Sequence, residues 1–160
     1  MVSEGHWCSC GGALLRYILV LIFLFFFNVS VKAGTVQEAF YHASVKYKIS
    51  YKLLWAVAKV ESEFKPSAIH VNNNGSYDIG LMQINSCWFN ELAKNGFSVN
   101  KLLMPKHNVE AGAFIIKYYL SKGYGMWQAV GMYHSGNKNF STAYVRKVER
   151  AYYEIGYYIE

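Results

Sequence analysis

The chain has 160 residues, with 16 Lys+Arg against 10 Asp+Glu, 53% hydrophobic and 18% aromatic residues, two prolines and three cysteines. So many aromatics and so little Pro exclude a disordered or collagen-like chain and describe one small globular domain. The formal net charge of +6 suits an anionic partner such as cell wall, nucleic acid or membrane surface, and does not choose among them.

Residues 17–27 read Y-I-L-V-L-I-F-L-F-F-F, an uncharged apolar run shorter than the roughly 17–25 residues that span a bilayer. It has the form of the apolar region of a secretory signal peptide. Arg16 is the positive flank, and Val31-Lys32-Ala33 offers small or tolerated residues before a cut that would leave Gly34 as the new N-terminus. The expectation is a signal peptide at 1–33 and one domain at 34–160. The alternative is an uncleaved anchor that adds Leu14, Leu15 and residues 28–31 and carries Arg16 within the span. Cys8 and Cys10 precede the apolar run, so no lipobox follows it. Past residue 33 only Cys87 remains, which excludes an internal disulfide and reads as a small buried hydrophobe.

From there the periodicity is helical almost throughout. Thr35-Val36-Gln37-Glu38 is a capping box that opens a helix to about Lys48, with Val36, Ala39, Phe40, Ala43 and Tyr47 on one stripe. Ser50 can cap a second helix from Tyr51 to about Glu63, which Pro66 should end. Asn74-Gly75 signals a tight turn, with room for a short hairpin. A third helix is expected over 86–95, stopping at Gly96, and others over 108–122, 127–134 and 141–158. In the last of these Tyr144, Val148, Ala151, Tyr152 and Ile155 form the buried stripe.

On the second helix the apolar stripe Leu54, Val57, Ala58 continues, at i+7 from Leu54, into Glu61. Glu63 lies about 200° around the helix, where an ordinary solvated acid belongs. Burial disfavours a charged carboxyl, so Glu61 is placed to have a raised pKa and to donate a proton near neutral pH. Its alternative is a Glu snorkelling at the helix end or paired with a buried cation.

Glu61-Ser62, Pro66, the Asn/Gly turn, Gly80-Leu81-Met82-Gln83-Ile84-Asn85, Tyr133-His134-Ser135-Gly136 and Tyr144-Val145 follow in an order and at spacings that resemble the family 1 soluble lytic transglycosylases, over about residues 36–158. That resemblance implies a mainly α, lysozyme-like fold with a small β-hairpin. The implied activity is cleavage of the β-1,4 bond after N-acetylmuramic acid, giving 1,6-anhydro ends. Small exported members are similar to the specialised enzymes of secretion systems, conjugation and type IV pili. Glu61 would be the acid and then the base. Tyr133 matches a Tyr whose hydroxyl lies near that Glu, while the Asn usually next to it is His134 here. Ser62, Met82, Gln83, Asn85, His134 and Tyr144 would form the substrate-binding set along the sugar cleft, with Leu81 and Ile84 in the core. Where many larger relatives have Met then Pro, this chain has Asn85-Ser86.

Asp78 is open between two readings. It is either a second carboxylate that stabilises positive charge at C1, or an Asx-type cap of the Asn74-Gly75 turn or of the segment after it. A hydrolytic muramidase of the same fold, with Asp78 assisting, and a weakly active wall-binding assembly factor are the alternative functions.

His70, His107 and His134 lack metal-site spacing, no phosphate-binding loop or G-x-S-x-G occurs, and the aromatics recur at core spacing. No metal or cofactor is expected. The expected partners are glycan strands and components of a secretion or pilus machine, without nucleic acid. A membrane would be met only through an uncut leader, and the domain would act as a monomer in the periplasm or cell wall.

Overall fold

The computed structural model describes residues 35–135 and 138–155, with only the backbone described at 138–140, inside the compact unit Gly34–Glu160. The leader read at 1–33 lies outside the described residues, as does the last helix's expected end beyond Ile155. Among the described residues six α-helices and a small antiparallel sheet follow in the order α1 (Val36–Tyr47), α2 (Tyr51–Ser62), β1 (Ile69–Val71), β2 (Tyr77–Ile79), β3 (Ile84–Asn85), α3 (Phe89–Lys94), α4 (Pro105–Ser121), α5 (Met126–His134) and α6 (Lys138–Glu154). Short 3₁₀ turns at Ser86–Trp88 and Val99–Lys101 flank α3. None of the described helices is long and apolar enough to cross a membrane.

Thr35 opens α1 with both bonds of the capping box. Its hydroxyl accepts from the Glu38 amide at 3.2 Å, and the Glu38 carboxylate accepts from the Thr35 amide at 2.6 Å. α2 ends earlier than Pro66 requires. Glu63 and Phe64 are both left-handed, at φ 51° and 63°, a conformation that disfavours side chains by about 1–2 kcal/mol per residue. Packing of the Phe64 ring, 4.8 Å from Trp55 and 6.3 Å from Phe40, holds this reversal.

The expected hairpin forms at Asn74-Gly75, with Gly75 at φ 79° and the Asn74 side chain accepting from the Ser76 amide at 3.0 Å. The Asx turn is therefore made by Asn74, and Asp78 lies on β2 instead of capping it. His70 pairs with Asp78, and Asp78 pairs with Asn85, so these three share one face of the sheet. β3 is too short to show an alternating pattern and has no counterpart in the expected elements. The expected helix over 86–95 is split into a 3₁₀ turn and α3. That turn leaves Cys87 exposed, contrary to its reading as a buried hydrophobe, while Leu92 on α3 takes the core position. α4 begins at Pro105, earlier than expected, because proline's fixed φ suits the first helical position.

α1 lies along α4, α2 along α6, and α5 touches both α4 and α6. Phe40, Leu53, Leu54, Leu81, Met82, Leu92, Ile115 and Ile116 are fully buried between them. Each such side chain contributes about 1.5–3 kcal/mol of transfer free energy. The C-terminal stripe buries Tyr144, Val148, Ala151 and Ile155, with Tyr152 partly buried beside it.

Candidate active site

The last turn of α2 carries Glu61 off the core stripe to the floor of an open cleft of about 860 Å³, which the sheet flanks through His70, Asp78 and Asn85. The Tyr144 hydroxyl, from α6, donates to Glu61 Oε1 at 2.6 Å. Burial pushes the Glu61 carboxyl up to about 7, and the negative charge of Asp78 adds to that rise. The Tyr144 bond favours the carboxylate and partly offsets it. A carboxyl group poised there holds a proton near neutral pH and can part with it.

Asp78 lines the cleft with both oxygens engaged, Oδ2 accepting from Asn72 Nδ2 at 2.9 Å and Oδ1 from Asn85 Nδ2 at 2.7 Å. Asn85 is in turn committed to the scaffold. Its amide also donates to Ser76 Oγ at 3.2 Å, and its carbonyl caps the 3₁₀ turn by accepting from the Cys87 amide at 2.9 Å.

The loop 80–83 forms the join between sheet and helices. Gly80 has φ 78°, and a Cβ there would fall 2.8 Å from the Leu102 carbonyl oxygen and into the Asn108 amide, so no other residue fits without a shift. Buried Asn108 on α4 accepts from the Met82 amide at 2.7 Å and donates to the carbonyls of Ile79 and Leu102 at 2.8 and 2.7 Å. Ser62 Oγ donates to the Leu81 carbonyl at 2.7 Å, and the Tyr133 hydroxyl donates to the Met82 carbonyl. The Met82 side chain is fully buried and packs on Gly112, where any Cβ would collide with it. Ser62 and Met82 thus stand behind the cleft and shape its loop, whereas Gln83, Asn85, Tyr133 and His134 line it.

Gln83 sits at φ 45° with Nε2 donating to the carbonyls of Ala68 and Gly80 at 3.2 and 2.8 Å. Those two acceptors identify the nitrogen, so the polar group its side chain keeps for a ligand is the carbonyl oxygen. His134 closes α5 with its ring stacked on Tyr144, centroids 4.2 Å apart and planes 4° from parallel. Burial lowers the His134 pKa and Lys147 adds to the lowering, while Asp78 opposes it.

Of the nine residues singled out in the sequence, the structure brings Glu61, Asp78, Gln83, Asn85, Tyr133 and His134 to one cleft, with Tyr144 beneath and Ser62 and Met82 behind. Tyr133 bonds the loop and Tyr144 bonds Glu61. Sequence reasoning did not single out Asn72, Asn108 or the wall residues Trp88 and Tyr119, whose rings meet edge to face at 5.8 Å. Asn108 carried a usable signal: it breaks the apolar face of α4 shared with Ala111, Gly112 and Ile115, just as Glu61 breaks that of α2.

A raised-pKa carboxyl at a helix end, a second acid lining the same groove and a three-stranded sheet beside a helical core describe a lysozyme-like fold. Within that fold class, the chain belongs to the transglycosylase SLT domain family, whose model matches residues 38–155. It is 38% identical over 122 residues to Invasion protein IagB of Salmonella typhi, covering 75% of this chain and 72% of that protein. Against Protein IpgF of Shigella flexneri the identity is 37% over 118 residues, or 71% and 78% of the two chains. The X polypeptide of Escherichia coli is 33% identical over 141 residues, or 84% and 82%.

Proposed function

We propose that this protein is a peptidoglycan lytic transglycosylase that cuts the β-1,4 bond between N-acetylmuramic acid and N-acetylglucosamine. The observation that carries this reading is Glu61, partly buried, with its carboxyl near pKa 7 and oriented by Tyr144. Protonated Glu61 gives its proton to the leaving glycosidic oxygen as the C1–O bond breaks, and C1 gains oxocarbenium character. Ionised Glu61 then takes the proton of the muramic acid 6-hydroxyl while O6 bonds to C1, closing the 1,6-anhydro ring. The proton count balances and water is not consumed. Asp78 supplies the negative charge that favours the cationic stage, fixed in place by Asn72 and Asn85, and the Gln83 carbonyl accepts from a sugar hydroxyl or amide.

The leader at 1–33 would export the domain at 34–160 to the periplasm. The resemblance to the small enzymes of secretion systems and pili favours local wall opening for such a machine, and a relative known as an invasion protein, IagB, fits that role. A second reading, hydrolysis with water at C1, draws on Asp78 lining the same cleft as Glu61 and acting on its charge. Mass spectrometry of fragments released from purified sacculi tests both. Anhydro ends that vanish in Glu61→Gln are expected, with a loss of at least the roughly 10²–10⁴-fold that positioned acid–base catalysis contributes. Reducing ends, with Asp78→Asn abolishing them, would establish hydrolysis. Near-normal turnover by Glu61→Gln would refute both.

A further inference from the structure

The Tyr144 hydroxyl reaches Glu61 from a ring that is only 5% exposed, and the residue stacked flat on that ring is His134, with centroids 4.2 Å apart and planes 4° from parallel. His134 is the last residue of α5, exposed and lining the cleft, whereas Tyr144 stands on α6. Among the described residues no other ring stacks on Tyr144. The torsion that turns a tyrosine ring is broad and roughly two-fold, so the plane of the ring is set by what packs on its faces. Turning the ring leaves the hydroxyl oxygen where it is, on the axis of rotation. It does turn the O–H bond, which conjugation with the ring keeps in the ring plane. The plane therefore decides whether the proton points at Glu61 Oε1, 2.6 Å away, or past it. The charged groups around His134 are Lys147 on α6 and Asp78 on β2, with Glu61 on α2 beyond Tyr144. Burial and Lys147 favour the neutral imidazole and Asp78 opposes them, so near neutral pH the contact is ring on ring and places no cation beside the acid.

We propose that His134 is a positioning residue for the acid: its ring fixes the plane of Tyr144, and Tyr144 in turn aims its proton at Glu61. His134 acts at one remove, through the hydroxyl, and the role needs a flat ring and not a charge. Because that hydrogen bond favours ionised Glu61, the stack sets how readily the carboxyl parts with its proton. The consequence for turnover rests on the reading of Glu61 as the acid and base of strand cleavage, whereas the effect on the Glu61 proton does not. Tyr133, one residue earlier, donates to the Met82 carbonyl, so the end of α5 steadies both the cleft loop and the acid.

The test reads the Glu61 proton directly. In the full chain carrying isotope-labelled glutamate, the Glu61 carboxyl is followed by NMR across pH, its resonance assigned as the one missing from Glu61→Gln. His134→Leu keeps bulk over Tyr144 without a flat ring, and His134→Phe keeps a flat ring without the nitrogens. At an exposed helix end neither change opens the core. His134→Leu is expected to raise the Glu61 pKa by about 0.5–1 pH unit, the range to which the coupling of an aromatic pair converts, and by no more than Tyr144→Phe does. His134→Phe should leave it at the wild-type value, and in a Tyr144→Phe background His134→Leu should add nothing. An unmoved or lowered Glu61 in His134→Leu, an equal rise in His134→Phe, or a further rise in the Tyr144→Phe background would each overturn the proposal. None of these outcomes depends on turnover. The expected shifts in a protein that releases no cut strands would sink the catalytic reading and leave the positioning role standing.

Discussion

Replacing Glu61 with Gln should make the protein more stable at alkaline pH while removing activity. The Glu61 carboxyl lies at about 7 in the folded state against an ordinary 4.5. The folded state therefore binds the proton more tightly than the unfolded chain. Between about pH 4.5 and 7 the folded protein keeps a proton that the unfolded chain releases, so stability falls as pH rises across that window and levels off above it. At roughly 1.36 kcal/mol per pH unit the loss amounts to about 3 kcal/mol. Gln has similar volume, does not titrate and can still accept the Tyr144 hydroxyl, so the variant avoids the loss. Urea melts of both proteins should coincide near pH 4.5 and separate by about 3 kcal/mol near pH 8, with Glu61→Gln the more stable. A difference that stays constant across that range would refute the burial argument. A variant less stable than wild type at pH 8 would show that the carboxylate is better solvated than its surroundings indicate.

The remaining expectations concern the groups around it. Tyr144→Phe removes the hydrogen bond that favours ionised Glu61, so the alkaline limb of the pH–rate profile, which wild type should show near pH 7, moves to higher pH; an unmoved limb would detach Tyr144 from the acid. Asn108→Ala leaves the Met82 amide and the Ile79 and Leu102 carbonyls without their partner, at about 1–3 kcal/mol for each group that stays buried and unpaired, which urea unfolding would read. Exposed Cys87 at the cleft should be labelled by a bulky maleimide in the folded protein, more slowly than an ordinary thiol because burial around its sulfur raises its pKa, and the adduct should slow strand cleavage.

Features that depend on neighbours along the chain were legible without coordinates. The Thr35–Glu38 capping box, the Asn74-Gly75 turn and the core stripe of α6 each rest on residues within a turn or two, and each formed. Glu61 stood out for the same reason, since a helical period of 3.6 places a residue on a face whatever the helix packs against. Asn108 broke its stripe in the same way, but a stripe alone does not say whether a polar break faces a cleft or a backbone loop. Cys87 shows the converse, because a 3₁₀ turn took the place of the expected helix start and set its side chain outward.

Pairings between distant elements were decided by tertiary structure. Tyr133 and Tyr144 are both tyrosines on helices near the cleft, and the family resemblance implied a Tyr133 hydroxyl near Glu61 with Tyr144 as another tyrosine of the cleft. Tyr133 lies near enough for the Glu61 charge to help raise its pKa, while the way α6 packs on α2 delivers the Tyr144 hydroxyl itself to that carboxyl, 83 residues away, and the way α5 packs delivers the Tyr133 hydroxyl to the Met82 carbonyl. The order of helices, the turn chemistry and the placement of an acid on an apolar face follow from local periodicity, which one chain carries in its own spacing. Which donor meets that acid, and how high its pKa stands, depends on the few ångströms by which separate helices approach, and those distances exist only once the core has closed.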